Sequence, residues 1–537
     1  MSDAVAPLRV GIAVADPLAD KYAADLLRYC LARPGELAPV LIVCARPAAA
    51  RGGRLRRWLW RAILWEERKY LRHHALHRDH EALTDLAALA PRTVALALQW
   101  GPQGPALRAA DLAALQAAQL DLIVQLEGAD LGAALQPCAR LGALDFGTAG
   151  TGGAPLGFWE TYRRQAKTGF ALRQAGAPGQ DGAVLLCGYY ATRARYLLNQ
   201  ADLRYKAQFH LKHFLTQTAR LGHLPAAAGA AAPRASRQPL SAARLALYLG
   251  KLLLRKLHDK CYKEYLQRTE VWGVSFLAGS WRALPGAQRI TPPVPSGHFW
   301  ADPFLWQQDG RTFCFLEDYA YERALGHIAV LEWREQQWQE LGPCLIEPFH
   351  LSFPFLFSYQ GQLYMCPETS QSGQIRVYRC SEFPLRWELA HVLMEGVSAA
   401  DTMLFERDGR WWMLTNIDLA QGGDHCSELQ LFSAPSPLSP VWEPHPHNPI
   451  AIDSEGGRNG GLIIDNGKIF RVGQRQGYCN YGEGAIVYEV QRLSASDYAE
   501  VEVQRLDPGF AAGISGTHHI NSSGGWTVFD HKSWRKP

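Results

Sequence analysis

Five acidic side chains in the second half of this chain are placed where glycosyl chemistry could use them. Asp302 and Asp401 open two copies of a repeated phrase, Glu317 and Glu368 close two, and Glu455 precedes Gly456-Gly457-Arg458. Glycosyl transfer or hydrolysis passes through an oxocarbenium-like transition state. One carboxylate must stabilise charge or activate the nucleophile, and an acid must protonate the leaving oxygen. Arg458 and His518 add the cationic or proton-donating groups that phosphate or carboxylate recognition uses. Asp302, Asp401 and Glu368 are therefore the expected catalytic residues. Ser352, Arg458, Asn459, His518, Glu455 and Glu317 are the expected substrate contacts. Asp302 precedes Pro303, so a turn-forming role stands beside the catalytic one. The eleven Cys are scattered without metal-ligand spacing, and no metal site is expected.

A five-fold repeat must position these groups. Each copy has a small apolar run, a Gly-centred turn and an aromatic-rich run: Asp302-PFLWQQ-Asp309-Gly310, Phe353-PFLFSY-Gln360-Gly361, Asp401-TMLFER-Asp408-Gly409, Asn459-GGLIID-Asn466-Gly467 and Thr517-HHINSS-Gly524-Gly525. The turn glycines are 51, 48, 58 and 58 residues apart. Asp-Gly, Asn-Gly and Gly-Gly supply the positive φ of tight hairpins. A hairpin recurring at this interval predicts a β-propeller of five blades. The first residues of the five inner strands then converge on one central depression. Asp309 and Asp408 are read as turn residues and left out of the site. Of Trp411 and Trp412, one ring is expected in the core.

The first half has a different pattern. Apolar runs at 8–14, 39–44, 121–126 and 141–146 alternate with helical stretches, which predicts an α/β, Rossmann-type domain with a mainly parallel sheet. Ligands of such sheets sit beyond the strands' carboxyl ends, which singles out Asp16, Glu127 and the segment Asp145–Glu160, with Asp145, Gly152 and Gly153 the expected ligand contacts. The expected divisions are 1–224, a linker with a basic amphipathic helix at 225–270, and the propeller at 271–537. Charge supports the last boundary: 36 Lys and Arg stand against 21 Asp and Glu up to residue 270, and 19 against 30 beyond it.

Two resemblances extend this reading. Gly152-Gly153-Ala154-Pro155 followed by Gly157-Phe158-Trp159-Glu160 resembles the loop and helix of folate-dependent formyltransferases, over roughly residues 8–220. That resemblance implies 10-formyltetrahydrofolate as a cofactor and N-formylation of an amino sugar as an activity. Leu144-Asp145-Phe146-Gly147 stands where active members carry Asn and His, so the general acid/base of formyl transfer is missing. Residues 271–537 resemble the propeller of glucosamine inositolphosphorylceramide transferases, through Ala301-Asp302-Pro303-Phe304, Ser352-Phe353-Pro354-Phe355, Pro367-Glu368-Thr369-Ser370, Ala400-Asp401-Thr402 and Gly516-Thr517-His518. Phe299-Trp300-Ala301-Asp302-Pro303-Phe304 is also similar to the first blade of family-43 glycoside hydrolases. Those hydrolases carry an acid in blade four, where this chain has Arg458-Asn459-Gly460-Gly461. The resemblance implies glycosyl transfer from an activated sugar, a nucleotide sugar being one donor, in surface-glycan or glycolipid assembly. A glycoside hydrolase and a non-catalytic glycan-binding protein are the alternatives.

Two basic stretches, Arg54–His74 and Ala242–Leu266, carry Trp, Tyr or Leu at helical spacing. They are candidates for peripheral membrane association, or for helices packed on the sheet with solvated charges. Nucleic-acid motifs are absent, so nucleic acid is not an expected partner. The opening residues lack a signal peptide's basic and apolar regions, and no run approaches the roughly 18 apolar residues of a spanning helix. The expected location is the cytoplasm, with the inner face of the membrane within reach.

Overall fold

The computed structural model describes residues 6–44, 53–101, 104–126, 131–146, 155–175, 182–226, 233, 238–261 and 269–535. The chain divides into two compact units, Met1–Lys256 and Leu257–Pro537.

The first unit is built on a seven-stranded sheet. In chain order its strands are Leu8–Val14, Leu37–Cys44, Thr93–Leu96, Leu122–Gln125, Ala143–Phe146, Lys167–Gln174 and Val184–Ala191. Across the sheet they run 3-2-1-4-5-6-7. The first five are mutually parallel, and the last two form an antiparallel hairpin. Val10, Ile12, Leu41, Ile42, Ile123 and Val124 are buried, as a sheet covered on both faces requires. The order reverses beside the first strand, and there the strand ends open a small hollow lined by Val14, Leu126, Phe146, Tyr22, Arg204 and Gln208. The helix after the first strand, Lys21–Leu31, is capped by the Asp20 carboxylate, which accepts from the Tyr22 and Ala23 amides. Of the expected linker, 227–232, 234–237 and 262–268 lie outside the described residues. The helix Ala242–Cys261 packs into this unit through Leu245, Tyr248 and Leu252.

The second unit is a five-bladed propeller. Blades one to four begin with the inner strands His298–Gln308, Ser352–Tyr359, Ala399–Arg407 and Glu455–Asp465, each pairing antiparallel with its successor. Blade five joins both ends of the propeller. Ile520–Ser523 pairs with Trp526–Arg535, which takes Thr269–Ala278 as its outer partner over ten residue pairs. The turns have the positive φ their sequences demand: 51° and 71° at Asp309-Gly310, 56° and 74° at Asp408-Gly409, 50° and 74° at Asn466-Gly467. The core lies between blades. Phe315 and Val330 of blade one meet Met365 and Tyr378 of blade two, and Ile463 and Val472 of blade four meet Ile520 and Phe529 of blade five. Trp411 and Trp412 are both buried, because each face of their sheet is covered by a neighbouring blade.

Candidate active site in the propeller funnel

A β-bulge opens three of the inner strands. Pairing skips between Ala301 and Phe304, between Ser352 and Phe355, and between Ala400 and Met403. The bulged residues Asp302, Phe353 and Asp401 have φ of 50°, 47° and 50°, a left-handed backbone rare outside glycine. Bulges re-aim side chains near sites, and Asp tolerates this region better than most residues. Blade two carries Phe353 at this position; it packs edge-on against Phe304, with ring centroids 4.9 Å apart.

Asp401 and Glu368 share one guanidinium. Arg458 donates from Nε to Asp401 Oδ2 at 2.6 Å and from Nη2 to Asp401 Oδ1 at 3.2 Å, and Nη2 also reaches Glu368 Oε2 at 3.4 Å. Gln474 Nε2 donates to Asp401 Oδ2 at 2.9 Å. Asp401 is thereby wholly buried, while the Glu368 and Arg458 side chains keep 12% and 14% exposure. Burial opposes the charge on Glu368. Arg458, the Ser370 hydroxyl at 2.7 Å, His350 and His425 outweigh it and hold the carboxyl below its usual range. Ser352 Oγ, at 3.1 Å, fixes the same carboxylate. For Asp401, burial prevails and raises the carboxyl against the attraction of Arg458.

Asp302 has the opposite surroundings. Burial, with Asp401 and Asp530 repelling a second charge, pushes its carboxyl up to about 7 against the pull of His518 and Arg458. His518 lies between two acids, with Nδ1 2.6 Å from Asp530 Oδ2 and Nε2 3.6 Å from Asp302 Oδ1. Burial disfavours the imidazolium, but these two carboxylates hold it above the usual histidine value. Asp530 is itself fixed by the His518 and His519 amides at 2.9 and 3.0 Å. Asp302, His518 and Asp530 bring one donor atom each within 4.8 Å of one another, as a metal would require. An imidazolium between two acids accounts for the same grouping by charge alone. Glu317, whose Oε1 lies 3.4 Å from His350 Nε2, is raised well above the carboxylate range by burial and by the charges of Asp302, Glu368, Asp530 and Asp401.

The other expected contacts divide. Asn459 is fully buried and ties blades together: its Nδ2 donates to the Asp401 carbonyl at 2.9 Å, and its amide donates to Asn416 Oδ1. Its side-chain Nδ2 thus serves the backbone carbonyls of Asp401 and Leu414. Glu455 stands with Arg475, 3.9 Å away, in a group with Glu483 and Asp507. In the first unit, Asp145 is half-buried on the strand Ala143–Phe146, and Glu127, Gly152 and Gly153 lie outside the described residues. Sequence reasoning passed over Asp530, Gln474 and His350. It also passed over Trp272 and Tyr481, whose rings lie 4.2 and 5.4 Å from His518. The exposed Tyr481 also faces the Arg458 guanidinium at 5.6 Å, so one wall of the cluster is aromatic. One signal was available. Glu317, Glu368, Asn416, Gln474 and Lys532 each stand seven residues after their turn glycine, and all five are polar.

The arrangement can hold one ionised carboxylate beside a fixed cation, and proton-bearing carboxyls next to it. The family match with known proteins falls on this unit. Residues 285–509 match the family described as glucosamine inositolphosphorylceramide transferase 1, N-terminal. The rice (Oryza sativa subsp. japonica) protein named glucosamine inositolphosphorylceramide transferase 1 is 34% identical over 270 residues, 47% of this chain and 36% of that protein. Its Arabidopsis thaliana namesake is 36% identical over 239 residues, 42% of this chain and 31% of that protein. Among solved structures, the family 117 glycoside hydrolase Zg3597 of Zobellia galactanivorans is 12% identical with a TM-score of 0.33, over 49% of this chain and 90% of that one. The catalytic domain of a Coprinopsis cinerea GH62 α-L-arabinofuranosidase is 12% identical with a TM-score of 0.34, over 49% and 97%. The chain thus spans about a third of the length of the curated relatives it matches, and the family match lies within the propeller.

Proposed function

We propose that the propeller carries out glycosyl chemistry in glycolipid or surface-glycan assembly, transferring a sugar from an activated donor to a lipid-linked or glycan hydroxyl. The observation that carries this reading is the convergence of carboxyls from separate blades, Asp401 and Glu368 on Arg458 and Asp302 and Asp530 on His518, with their proton affinities pushed apart. Glu368 is held below the usual carboxyl range, while burial pushes Asp302 up to about 7 and raises Glu317 well above that range. Such a pairing assigns acid and base roles. Glu368 accepts the acceptor's proton or stabilises the oxocarbenium charge, and Asp302 protonates the departing oxygen. Asp401 serves through Arg458: it keeps the guanidinium in place against Glu368 and does not itself meet water. The similarity to proteins named glucosamine inositolphosphorylceramide transferase supports a hexosamine donor and an inositol-phosphate lipid acceptor.

A second reading, hydrolysis, is favoured by one feature. The Nε and Nη2 donors of Arg458 are taken by carboxylates, and Nη1 meets Cys426 Sγ at 3.9 Å, which leaves little of this cation for a donor phosphate. Incubating the full chain with uridine-diphosphate hexosamines and inositol-phosphate lipid, with product mass measured, separates the two. A glycosylated lipid that disappears in Glu368→Gln and Asp302→Asn supports transfer. Free sugar without it supports hydrolysis. Saturable sugar binding without turnover would leave a recognition module and defeat both.

For the first unit we propose ligand binding at the hollow beside the first strand. The site at strand ends where the sheet order reverses supports it. Protection of Tyr22 and Arg204 from chemical labelling by 10-formyltetrahydrofolate would favour a folate there. Unchanged labelling counts against one.

A further inference from the structure

We infer that the first unit carries a membrane-docking face, made by the helix Arg54–Leu71 and the adjoining helix Ala242–Cys261, that seats on an anionic lipid surface. The inference is independent of the propeller chemistry. A basic helix packed on a sheet ordinarily buries its apolar stripe and offers water its charges. These two helices do bury one stripe: Leu59, Ile63 and Leu71 of the first and Leu245, Tyr248 and Leu252 of the second enter one cluster. Each helix then presents a second apolar stripe outward. On the first helix, Leu55, Trp58 and Trp65 recur at three- and seven-residue spacing and are 62%, 63% and 62% exposed. On the second, Leu247, Leu253 and Leu254 are more than half exposed. Two indoles more than half exposed on one helix are unusual for a face meant for water.

Charge selects the occupant. The two acids of the first helix point inward. Glu67 is buried and accepts from Tyr248 Oη at 2.7 Å, and Glu66 is buried and ion-paired with Lys256 of the second helix. What remains outside is basic. Arg54, Arg56, Arg57 and Arg61 are exposed, and among the described residues none forms an ion pair; Arg68 is paired with Glu81, and Lys69 lies over the Trp65 ring. Trp and Leu between unpaired arginines match the boundary of an anionic bilayer, where indoles lie at headgroup depth and arginines meet phosphates. A second copy of the same face would instead oppose like charges. No helix of the described residues is long and apolar enough to cross a membrane, so the mode inferred is lying on the surface.

Flotation of the full chain with vesicles tests this. The chain is expected to float with phosphatidylglycerol-rich vesicles and not with phosphatidylcholine alone, and to be released as salt rises. Trp58→Ser with Trp65→Ser, and separately Arg56→Glu with Arg57→Glu, should each weaken binding about tenfold or more. Leu254→Ser, on the other helix, should weaken it less. Circular dichroism and melting matched to the unsubstituted chain exclude misfolding as the cause. Equal binding to neutral vesicles, undiminished binding by both paired variants, or no binding at low salt would overturn the inference. So would concentration-dependent dimers in sedimentation that the Trp58/Trp65 variant abolishes, since a second copy would then be the occupant.

Discussion

Arg458 decides what its neighbours can do. It neutralises Asp401 at a fully buried position and leans on Glu368, so removing it strands a carboxylate without a counter-ion. Arg458→Leu is expected to lower stability by about 3–5 kcal/mol, measured by urea unfolding. The double variant Arg458→Leu, Asp401→Leu should recover most of that loss, because packed apolar groups replace a buried pair at little cost. Asp302 gives a separate signature. Its carboxyl is raised in the folded state, so its contribution is full below the unfolded value of about 3.8 and is lost as pH rises through about 7. Asp302→Asn should therefore flatten the decline in stability between those two pH values, read from unfolding midpoints across the range. His518→Gln removes the cation that restrains Asp302. The alkaline limb of any turnover profile should then move upward by about one unit; a downward move or none would show that His518 does not set that acid.

At the scale of elements, the hairpins were legible because their turns demand particular residues. Asp-Gly and Asn-Gly take the left-handed backbone cheaply, and the five turns announced five blades. The bulges beneath Asp302 and Asp401 were not legible: no residue pair marks where a ladder skips. Nor was the closure of blade five, since the pairing of Thr269–Ala278 with Trp526–Arg535 spans most of the propeller and has no local pattern. In the first unit, four strands stood out as apolar runs. The hairpin Lys167–Gln174 with Val184–Ala191 did not, because charged and half-buried residues interrupt it. Blade four supplies a test of close packing. Gly461 has φ of 126°, and a Cβ there would lie 2.2 Å from the Ile520 carbonyl of blade five. Gly461→Ala is expected to lower stability by at least about 2 kcal/mol, seen in the melting temperature. A variant that melts unchanged would mean the two blades can separate at that point.

Across the whole molecule, the charge changes sign near residue 270, whereas the compact units divide after Lys256 and most of the helix Ala242–Cys261 belongs with the first. The reason is that Leu245, Tyr248 and Leu252 have a partner in the cluster around Phe158 and Tyr196, a long-range contact that composition cannot express. The candidate site was legible as types and not as roles. Asp302, Asp401, Glu368, Ser352, Glu317, Arg458 and His518 do meet, while Asn459 holds backbone and Glu455 faces Arg475. What divides catalyst from clamp is which carboxyl receives the guanidinium, and that depends on geometry from three blades at once.

Glu368 and Asp302 are expected to keep different protonation states within one funnel, and carboxyl-carbon NMR of labelled protein measures this without any substrate. With Asp302→Asn and Glu368→Gln spectra assigning the two signals, Asp302 should titrate near 7 and Glu368 below the ordinary value of about 4.5. Both carboxyls titrating together near 4 would contradict it.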